Sequence, residues 1–327
     1  MWKKILGYGF VAIVTIAGGV FAYLYYRRPA MAPAANIRVA MTPERIARGK
    51  YIFTLADCDG CHSERDLTKR YWPVVDSGRG RGNFMGKEGP ITLSVPNITP
   101  DRETGIGTWT DGEKIRAIRE GIHKDGSTLF PMMPYSEYRY MSDDDVQSLV
   151  AYLNTLAPVR HESPRPTVGF PVNLLIKGVP KPVKKPIATP TPADGRVYGE
   201  YLVTLGACVV CHTEEIRGAP VREMLFAGGR QFNVFGNVVV SANITPHKGT
   251  GIGDWDVNRF LDRFRQHRTP KESLPAFTKE LFTIMPWRSL ATLPESDLEA
   301  IFSYLMSQRA VENKVNAHPA VQMAGVQ

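Results

Sequence analysis

The sequence predicts an all-α protein in which an N-terminal transmembrane helix is followed by two tandem copies of one helical domain. Three observations lead to this fold class. The first 26 residues contain a long stretch without charge, the rest of the chain repeats itself at an offset near 150 residues, and apolar residues in both copies recur at helical spacing. With 327 residues, the chain has room for about two domains of ordinary size.

The N-terminal segment has the length of a membrane span. No charged residue occurs in the 22 positions from Ile5 to Tyr26, and a helix rising about 1.5 Å per residue crosses the bilayer core over that length. A cleaved signal peptide with Ala32-Pro33-Ala34 as its cleavage site is the alternative, but its apolar core would be unusually long and two arginines would follow it. We therefore expect residues 1–37 to form a membrane anchor and juxtamembrane segment.

The remainder of the chain is an internal repeat. Both copies contain, in the same order, Gly-x-Tyr, Cys-x-x-Cys-His, Asn-Ile-Thr-Pro, Thr-Gly-Ile-Gly with a following Trp, Met-Pro and a closing Asp-to-Tyr-Leu segment. The offsets drift between 146 and 152 residues, as expected for two copies of one domain with loops of different length. The predicted limits are 38–157 for the first domain, 158–192 for a Pro-rich linker, 193–309 for the second domain and 310–327 for a flexible tail.

The linker holds nine prolines and is predicted to be stiff and mostly extended. Within it, the stretch from Phe170 to Ile176 is apolar enough to pack on one of the domains.

Capping signals and apolar spacing predict helices in both copies. Thr42-Pro43-Glu44 combines an N-cap, a first-turn proline and a first-turn acid. Asp111 can cap a second helix, and Ser142 with three following aspartates opens a third. The stretch Val238–Val240 is a candidate short strand, and nothing else in the sequence indicates a sheet.

All four cysteines fall in two Cys-x-x-Cys-His pentads. Two thiols one helical turn apart can each add to a vinyl group of one porphyrin, and the adjacent imidazole is then held under the iron as an axial ligand. This spacing predicts two covalently attached haem c groups. The covalent and iron-binding candidates are Cys58, Cys61 and His62 in the first copy, and Cys208, Cys211 and His212 in the second.

Three other interpretations of the pentads are weaker. A zinc site would pair one Cys-x-x-Cys with a second pair some 15–20 residues away, whereas 146 residues separate Cys61 from Cys208. A redox-active Cys-x-x-Cys would need a βαβ setting, which the sequence does not indicate. Two disulfides would leave both histidines without a role.

Methionines at matching positions are candidates for the sixth iron ligand. Met133 lies 71 residues after His62, and Met285 lies 73 residues after His212. A thioether favours Fe(II), so His/Met ligation raises the potential and suits electron transfer. A lone Met is more often a core residue, but the repetition favours ligands. Met132 is the local competitor in the first copy.

Two further repeated features have two interpretations each. Asn97 and Asn243 open Asn-Ile-Thr sequons, which are glycosylation acceptors in secreted eukaryotic proteins, but their equivalent positions favour a structural role in a loop. Trp109 and Trp255 can donate an indole N–H to a haem propionate or pack in the core, and the sequence favours neither interpretation.

The charge distribution argues against nucleic acid as a partner. The chain has 40 basic and 32 acidic residues, but the excess lies in residues 1–40 and 158–192, each with a net charge of +5. A nucleic-acid-binding protein would carry such charge on a folded face.

Taken together, the pentads and the other repeated motifs resemble two copies of the class I cytochrome c fold, over residues 42–157 and 194–306. More narrowly, the chain resembles the membrane-bound multihaem cytochrome c subunits of bacterial periplasmic dehydrogenases for alcohol, gluconate, sorbitol or aldehyde. The resemblance implies that Met133 and Met285 are the sixth ligands. It also implies that Gly49 and Gly199 let the first helix of each domain cross the last one closely.

The resemblance implies an electron-transfer protein without catalytic residues, anchored by one helix in the bacterial inner membrane with both haem domains in the periplasm. Its expected partners are a periplasmic dehydrogenase subunit as donor, quinone or a terminal oxidase as acceptor, and membrane lipid. A dihaem cytochrome c peroxidase is the main rival, and it requires an iron with an open or displaceable position.

Overall fold

A computed structural model describes residues 2–89, 91–216, 218–234, 237–269 and 282–319. The described chain has an N-terminal helix that is followed by two halves with matching helix order. The helices are α1 (Trp2–Tyr26), α2 (Pro43–Leu55), α3 (Cys58–His62), α4 (Asp111–Glu120), α5 (Tyr135–Tyr138), α6 (Asp143–Leu153), α7 (Val172–Leu175), α8 (Gly195–Leu205), α9 (Cys208–His212), α10 (Val257–Arg265), α11 (Trp287–Leu290) and α12 (Glu295–Met306).

Helix α1 contains a candidate membrane span of 23 residues, Lys4–Tyr26, and none of these residues is buried. A helix this apolar is stable in a bilayer because its backbone groups are satisfied internally and its side chains need no aqueous contact. The length and composition suit an anchor, and a signal sequence meets the same two criteria.

The first and last helices of each half cross at a glycine, as the resemblance implies. A Cβ atom on Gly49 would lie 1.8 Å from the backbone oxygen of Ser148, and one on Gly199 would lie 1.9 Å from that of Ala300. Both approaches are far inside van der Waals contact, so only glycine allows α2 to reach α6 and α8 to reach α12 at this distance. The expectation of a close crossing is confirmed.

Most of the capping signals act as the sequence predicts. The Thr42 hydroxyl accepts from the Arg45 amide at 3.3 Å, and the Ser142 hydroxyl accepts from the Asp145 amide at 3.2 Å. At α4 the cap is Thr110 rather than Asp111, because Thr110 forms a capping box with Glu113.

Short strands are also present, so the expectation of an all-α protein is too simple. The strands are β1 (Asn83–Glu88), β2 (Ile91–Val95), β3 (Thr167–Val168), β4 (Glu215–Ile216), β5 (Ala219–Pro220), β6 (Gln231–Val234) and β7 (Asn237–Val240). All but β3 lie in the long loops after the pentads, and β3 lies in the linker; antiparallel pairing there satisfies backbone groups that no helix uses. Strand β2 pairs with β1 and β3, β4 with β5, and β6 with β7.

The linker contacts the end of the N-terminal helix and then lies along the first half. The backbone N–H of Val183 donates to the Glu120 carboxylate at 2.9 Å, and that of Asp143 donates to the carbonyl of Ile187 at 2.9 Å. The apolar stretch around α7 packs against the end of α1.

The segment after α12 continues along the second half. Val311 and Asn313 accept hydrogen bonds from the side chain of Asn243, and the carbonyl of Ala317 accepts from the Val240 amide at 3.0 Å. Residues 311–317 are therefore held in place, although the sequence assigns them to a flexible tail. The rest of that predicted tail, from residue 320, lies outside the described residues.

The two halves meet through equivalent elements. Helix α2 packs against α8, α5 packs against α8, and α11 packs against α2. Buried side chains form one continuous apolar cluster that includes Leu55 and Leu149 of the first half and Leu202 and Leu298 of the second. Because α2 and α8 each lead directly into a pentad, this junction holds both pentads on helices that touch one another.

Candidate haem-binding site

Each pentad begins with a sharp backbone turn. Asp57 (φ 46°, ψ 44°) precedes α3, and Ala207 (φ 49°, ψ 34°) precedes α9. Both are left-handed conformations, which disfavour side chains larger than glycine by roughly 1–2 kcal/mol. The strain occurs at the same point of both copies, where the chain leaves a long helix and presents the first cysteine.

The two thiols of each pentad lie on one helical turn. Cys58 and Cys208 are partly buried and pack against the apolar cluster, while Cys61 and Cys211 are exposed. None of the four is joined to another cysteine, which argues against the disulfide interpretation.

Both pentad histidines are oriented by a backbone carbonyl. The Nδ1–H of His62 donates to the carbonyl of Pro96 at 2.9 Å, and that of His212 donates to the carbonyl of Ala242 at 2.8 Å. Burial lowers the pKa of His62 and of His212 and favours the neutral imidazole. With Nδ1 protonated, Nε2 carries the lone pair in both rings, which is the arrangement of a histidine that binds a metal.

The Asn-Ile-Thr segments hold the loops that supply these carbonyls. Asn97 Oδ1 accepts from the Thr99 amide at 2.9 Å, and its Nδ2 donates to the carbonyl of Val159 at 2.7 Å. Asn243 makes the corresponding bonds to Thr245 and Val311, at 2.9 and 2.8 Å. Both asparagines are buried, so the structural role is confirmed and a glycan has no access to them.

The two candidate methionines occupy equivalent loops. Met133 and Met285 are partly buried and pack against the apolar cluster, and each carbonyl accepts from the amide two residues later, at 2.8 and 2.7 Å. Met132 is 37% exposed. Met133 therefore contacts the apolar cluster, and Met132 is the more exposed of the two.

The tryptophans differ between the copies. The Trp109 ring packs edge-on against His123 with centroids 4.7 Å apart, whereas the Arg259 guanidinium lies over the Trp255 ring at 5.0 Å. Packing accounts for these contacts, and the role of the indole N–H stays open.

The residues present fit a covalently attached haem better than a bare metal ion. Within the described ranges, no group of three or more His, Cys, Asp or Glu side chains is arranged to hold an ion, so the donors of a zinc centre are missing there. Each pentad instead offers two thiols, one neutral imidazole and a thioether from a distant loop, which is the donor set of a c-type cytochrome.

Two features of this site could not be predicted from the chemistry of the side chains. The carbonyls of Pro96 and Ala242 act through the backbone, and the left-handed turns fall on Asp and Ala, which have no marked preference in common. Their only sequence signal is position: each carbonyl directly precedes an Asn-Ile-Thr-Pro segment.

Comparison with known proteins points to the c-type cytochromes. The cytochrome c family model matches residues 46–157. A diheme cytochrome c-type protein of Cereibacter sphaeroides is 30% identical over 313 residues, which cover 92% of this chain and 97% of the relative. The cytochrome c subunit of the quinone alcohol dehydrogenase of Gluconobacter oxydans is 28% identical over 83% of the chain, and the fructose dehydrogenase cytochrome subunit of Gluconobacter japonicus is 32% identical over 80%.

The matched region spans about half the length of the two Gluconobacter subunits, 56% and 52%, but nearly all of the diheme protein. The match to the diheme protein extends over both halves, while the family model matches the first. This chain therefore belongs to the cytochrome c family, whose domain implies a covalently bound haem c.

Proposed function

We propose that this chain is a membrane-anchored dihaem cytochrome that takes electrons from a periplasmic dehydrogenase and delivers them to quinone or a terminal oxidase. In this proposal α1 is a single-pass anchor in the bacterial inner membrane. Residues 38–157 and 193–309 are two tandem class I cytochrome c domains, each with one haem c.

The observation that carries the proposal is the duplication of a complete donor set. Both halves have a pentad after a left-handed turn, a histidine whose Nδ1 is bonded to a backbone carbonyl, and a partly buried methionine before a proline. A second copy that had lost its haem would have no reason to keep these details.

The proposed ligands are the pentad residues and the methionine at the equivalent position of each half. Cys58 and Cys61 would hold the first haem, with His62 and Met133 on its iron. Cys208 and Cys211 would hold the second, with His212 and Met285. A haem c supplies a one-electron Fe(III)/Fe(II) couple, which His/Met ligation biases towards the reduced state.

The relatives support a dehydrogenase as the donor. Several are named as cytochrome subunits of alcohol, fructose or gluconate dehydrogenases. Haem is attached to c-type cytochromes outside the cytoplasm, and both pentads follow α1, so we infer that the N-terminus is cytoplasmic and the halves are periplasmic.

Haem counting tests the cofactor part of the proposal. The purified full-length protein should contain two haems per chain by the pyridine haemochrome assay. Replacing both cysteines of one pentad by alanine, either at 58 and 61 or at 208 and 211, should leave one haem in each case. A value of one haem in the unaltered protein would overturn the dihaem assignment.

A second experiment separates a carrier from a peroxidase. Two His/Met sites should give two low-spin haems in both oxidation states, with negligible peroxide turnover after half-reduction. Electron transfer should instead be seen with a dehydrogenase and its substrate as donor and a quinone as acceptor. Rapid peroxide turnover with one haem turning high-spin on reduction would favour the rival function.

A further inference from the structure

The apolar part of the linker, residues 169–177, packs against the C-terminal end of α1. Two of its large side chains remain exposed: Phe170 by 67% and Leu175 by 53%. Leu174, in contrast, is buried. One side of the segment therefore packs against the protein, and the other side is exposed.

Polar contacts fix this segment to the helix end. Arg27 donates from Nη2 to the carbonyls of Leu174 and Leu175, both at 3.0 Å, and Lys177 donates from Nζ to the carbonyl of Tyr25 at 2.8 Å. These bonds link the C-terminal end of α1 to the C-terminal end of α7, where helix carbonyls lack intrahelical donors.

Depth along α1 determines what the exposed side chains meet. The ring of Phe170 lies 6.2 Å from that of Phe21, centroid to centroid. Phe21 lies five residues before the end of α1, which is roughly 7.5 Å along a helix axis at about 1.5 Å per residue. Amphipathic segments that bind bilayers place their apolar face about 5–10 Å into the interface.

We propose that residues 169–177 form a second membrane contact, with Phe170 and Leu175 inserted at the boundary between headgroups and acyl chains beside α1. The partner is the lipid of the membrane that α1 spans, because a side chain level with Phe21 meets acyl chains once α1 is inserted. Basic residues follow α1 directly in the sequence and lie at or just after the end of the segment, as is typical of sites on anionic lipid. They are Arg27, Arg28, Lys177 and Lys181.

This contact rests on the anchoring that is part of the proposed function, and it has a mechanical consequence. If α1 were the only attachment and the chain after it were flexible, the first half could move freely relative to the membrane. A second attachment fixes its orientation, because the linker is also bonded to that half through Glu120 and Asp143.

Spin labels on single introduced cysteines test the proposal in the full chain reconstituted into nanodiscs with anionic lipid. The variants are Phe170→Cys and Leu175→Cys, with Leu225→Cys in the second half as the aqueous reference and Val14→Cys in the middle of α1 as the bilayer reference. The unaltered chain, whose cysteines all lie in the pentads, gives the background. The measurement is the collision rate of each label with oxygen, which partitions into lipid, relative to that with a water-soluble nickel complex.

Labels at 170 and 175 should show an oxygen-to-nickel ratio several-fold higher than the label at 225 and lower than the label at 14. A ratio equal to that at 225, with a high ratio at 14, would overturn the second contact and leave the anchor intact. An aqueous ratio at 14 would instead overturn the anchor. Low collision rates with both reagents at 170 and 175 would mean that protein covers the segment, which would also overturn the proposal.

Discussion

Tyr51 of the first half donates its hydroxyl proton to the carboxylate of Asp297 in the second half, at 2.5 Å. The reverse bond is also present: Tyr201 of the second half donates to Asp145 of the first, at 2.6 Å. Tyr51 and Tyr201 are equivalent positions of the repeat, and so are Asp145 and Asp297. The junction between the halves is therefore closed by a reciprocal pair of bonds.

These bonds lie at the centre of the junction. Both carboxylates are buried, and burial together with the partner carboxylate raises the pKa of each tyrosine and keeps it a hydrogen-bond donor. Arg48 adds a bidentate pair to Asp145, at 2.7 and 2.8 Å, and its guanidinium lies 4.7 Å from the centre of the Tyr51 ring.

Removing either hydroxyl should weaken the association of the halves. A hydrogen bond to a charged group contributes about 1.5–3 kcal/mol, so we expect Tyr51→Phe to lower the free energy of unfolding by about 2 kcal/mol. Tyr201→Phe should cost at least as much: Asp145 keeps its two bonds from Arg48, but the buried Ser142 amide loses the Tyr201 hydroxyl as its acceptor. The double variant should convert one cooperative denaturation transition into two.

Tyr140→Phe is the matched control, since Tyr140 is 58% exposed; its effect should be close to zero. Denaturant unfolding followed by haem absorbance and by far-ultraviolet circular dichroism provides the readout. Equal stability of the unaltered protein, both single variants and the double variant would show that the reciprocal bonds do not hold the halves together.

Gly49→Ala and Gly199→Ala should each disrupt one half. The added methyl group would overlap a backbone oxygen at 1.8 or 1.9 Å, and backbone atoms of a packed helix cannot yield as a side chain can. We expect losses of about 3 kcal/mol or more and a reduced yield of haem-loaded protein. Gly195→Ala, at the start of α8 with no neighbouring atom within 4 Å, should be neutral or slightly stabilising.

Replacing the candidate methionines should change the haem potentials one at a time. Met133→Ala and Met285→Ala should each lower one potential by on the order of 0.1 V, since axial ligands set haem potentials over a range of about 0.8 V. The covalent attachment should persist, because the thioethers do not depend on the sixth ligand. Redox titration of the two waves is the measurement.

Met132→Ala is the control for the first site, because Met132 is more exposed than Met133, which packs against the apolar cluster. If this variant shifts a wave and Met133→Ala does not, the ligand assignment in the first half is incorrect.

Much of the helical framework follows from local sequence signals. Thr42 and Ser142 cap helices as predicted, since a cap depends on residues within one turn. The crossings at Gly49 and Gly199 follow from the family resemblance. The helix pairs that carry the pentads are therefore predictable from the amino-acid sequence.

The remaining features depend on contacts that the sequence does not encode locally. The strand pairs lie in loops and are too short for a clear alternating pattern. Tyr51 and Asp297 both belong to the repeated motifs, but the repeat does not reveal that the tyrosine of each half bonds to the aspartate of the other half. The composition of the linker's apolar stretch correctly predicts that it packs, yet its partner, the end of α1, lies about 150 residues away.

The ion pairs of Glu295 should make the stability of the second half depend on pH. Its carboxylate accepts from Arg265 Nε and Nη2, at 2.9 and 2.7 Å, and from Arg268 Nη1 at 2.8 Å, which joins α12 to α10. The bonds from Arg265 are the main reason that the pKa of Glu295 is lowered to about 2.

The ordinary pKa of a glutamate is about 4.3, so the unfolded chain takes up a proton at this residue before the folded chain does. The stabilisation from the ion pairs of Glu295 is therefore complete above the ordinary pKa of glutamate. It is lost as the pH falls from that pKa towards 2. The difference in Tm between the unaltered protein and Glu295→Gln should be constant from pH 7 to about pH 5.5 and shrink below it, with Glu299→Gln on the exposed face of α12 as the control for the change in charge. High salt should reduce the difference, since the group is at the surface. A difference that grows on acidification would show that the Arg265 pair does not act through this carboxylate.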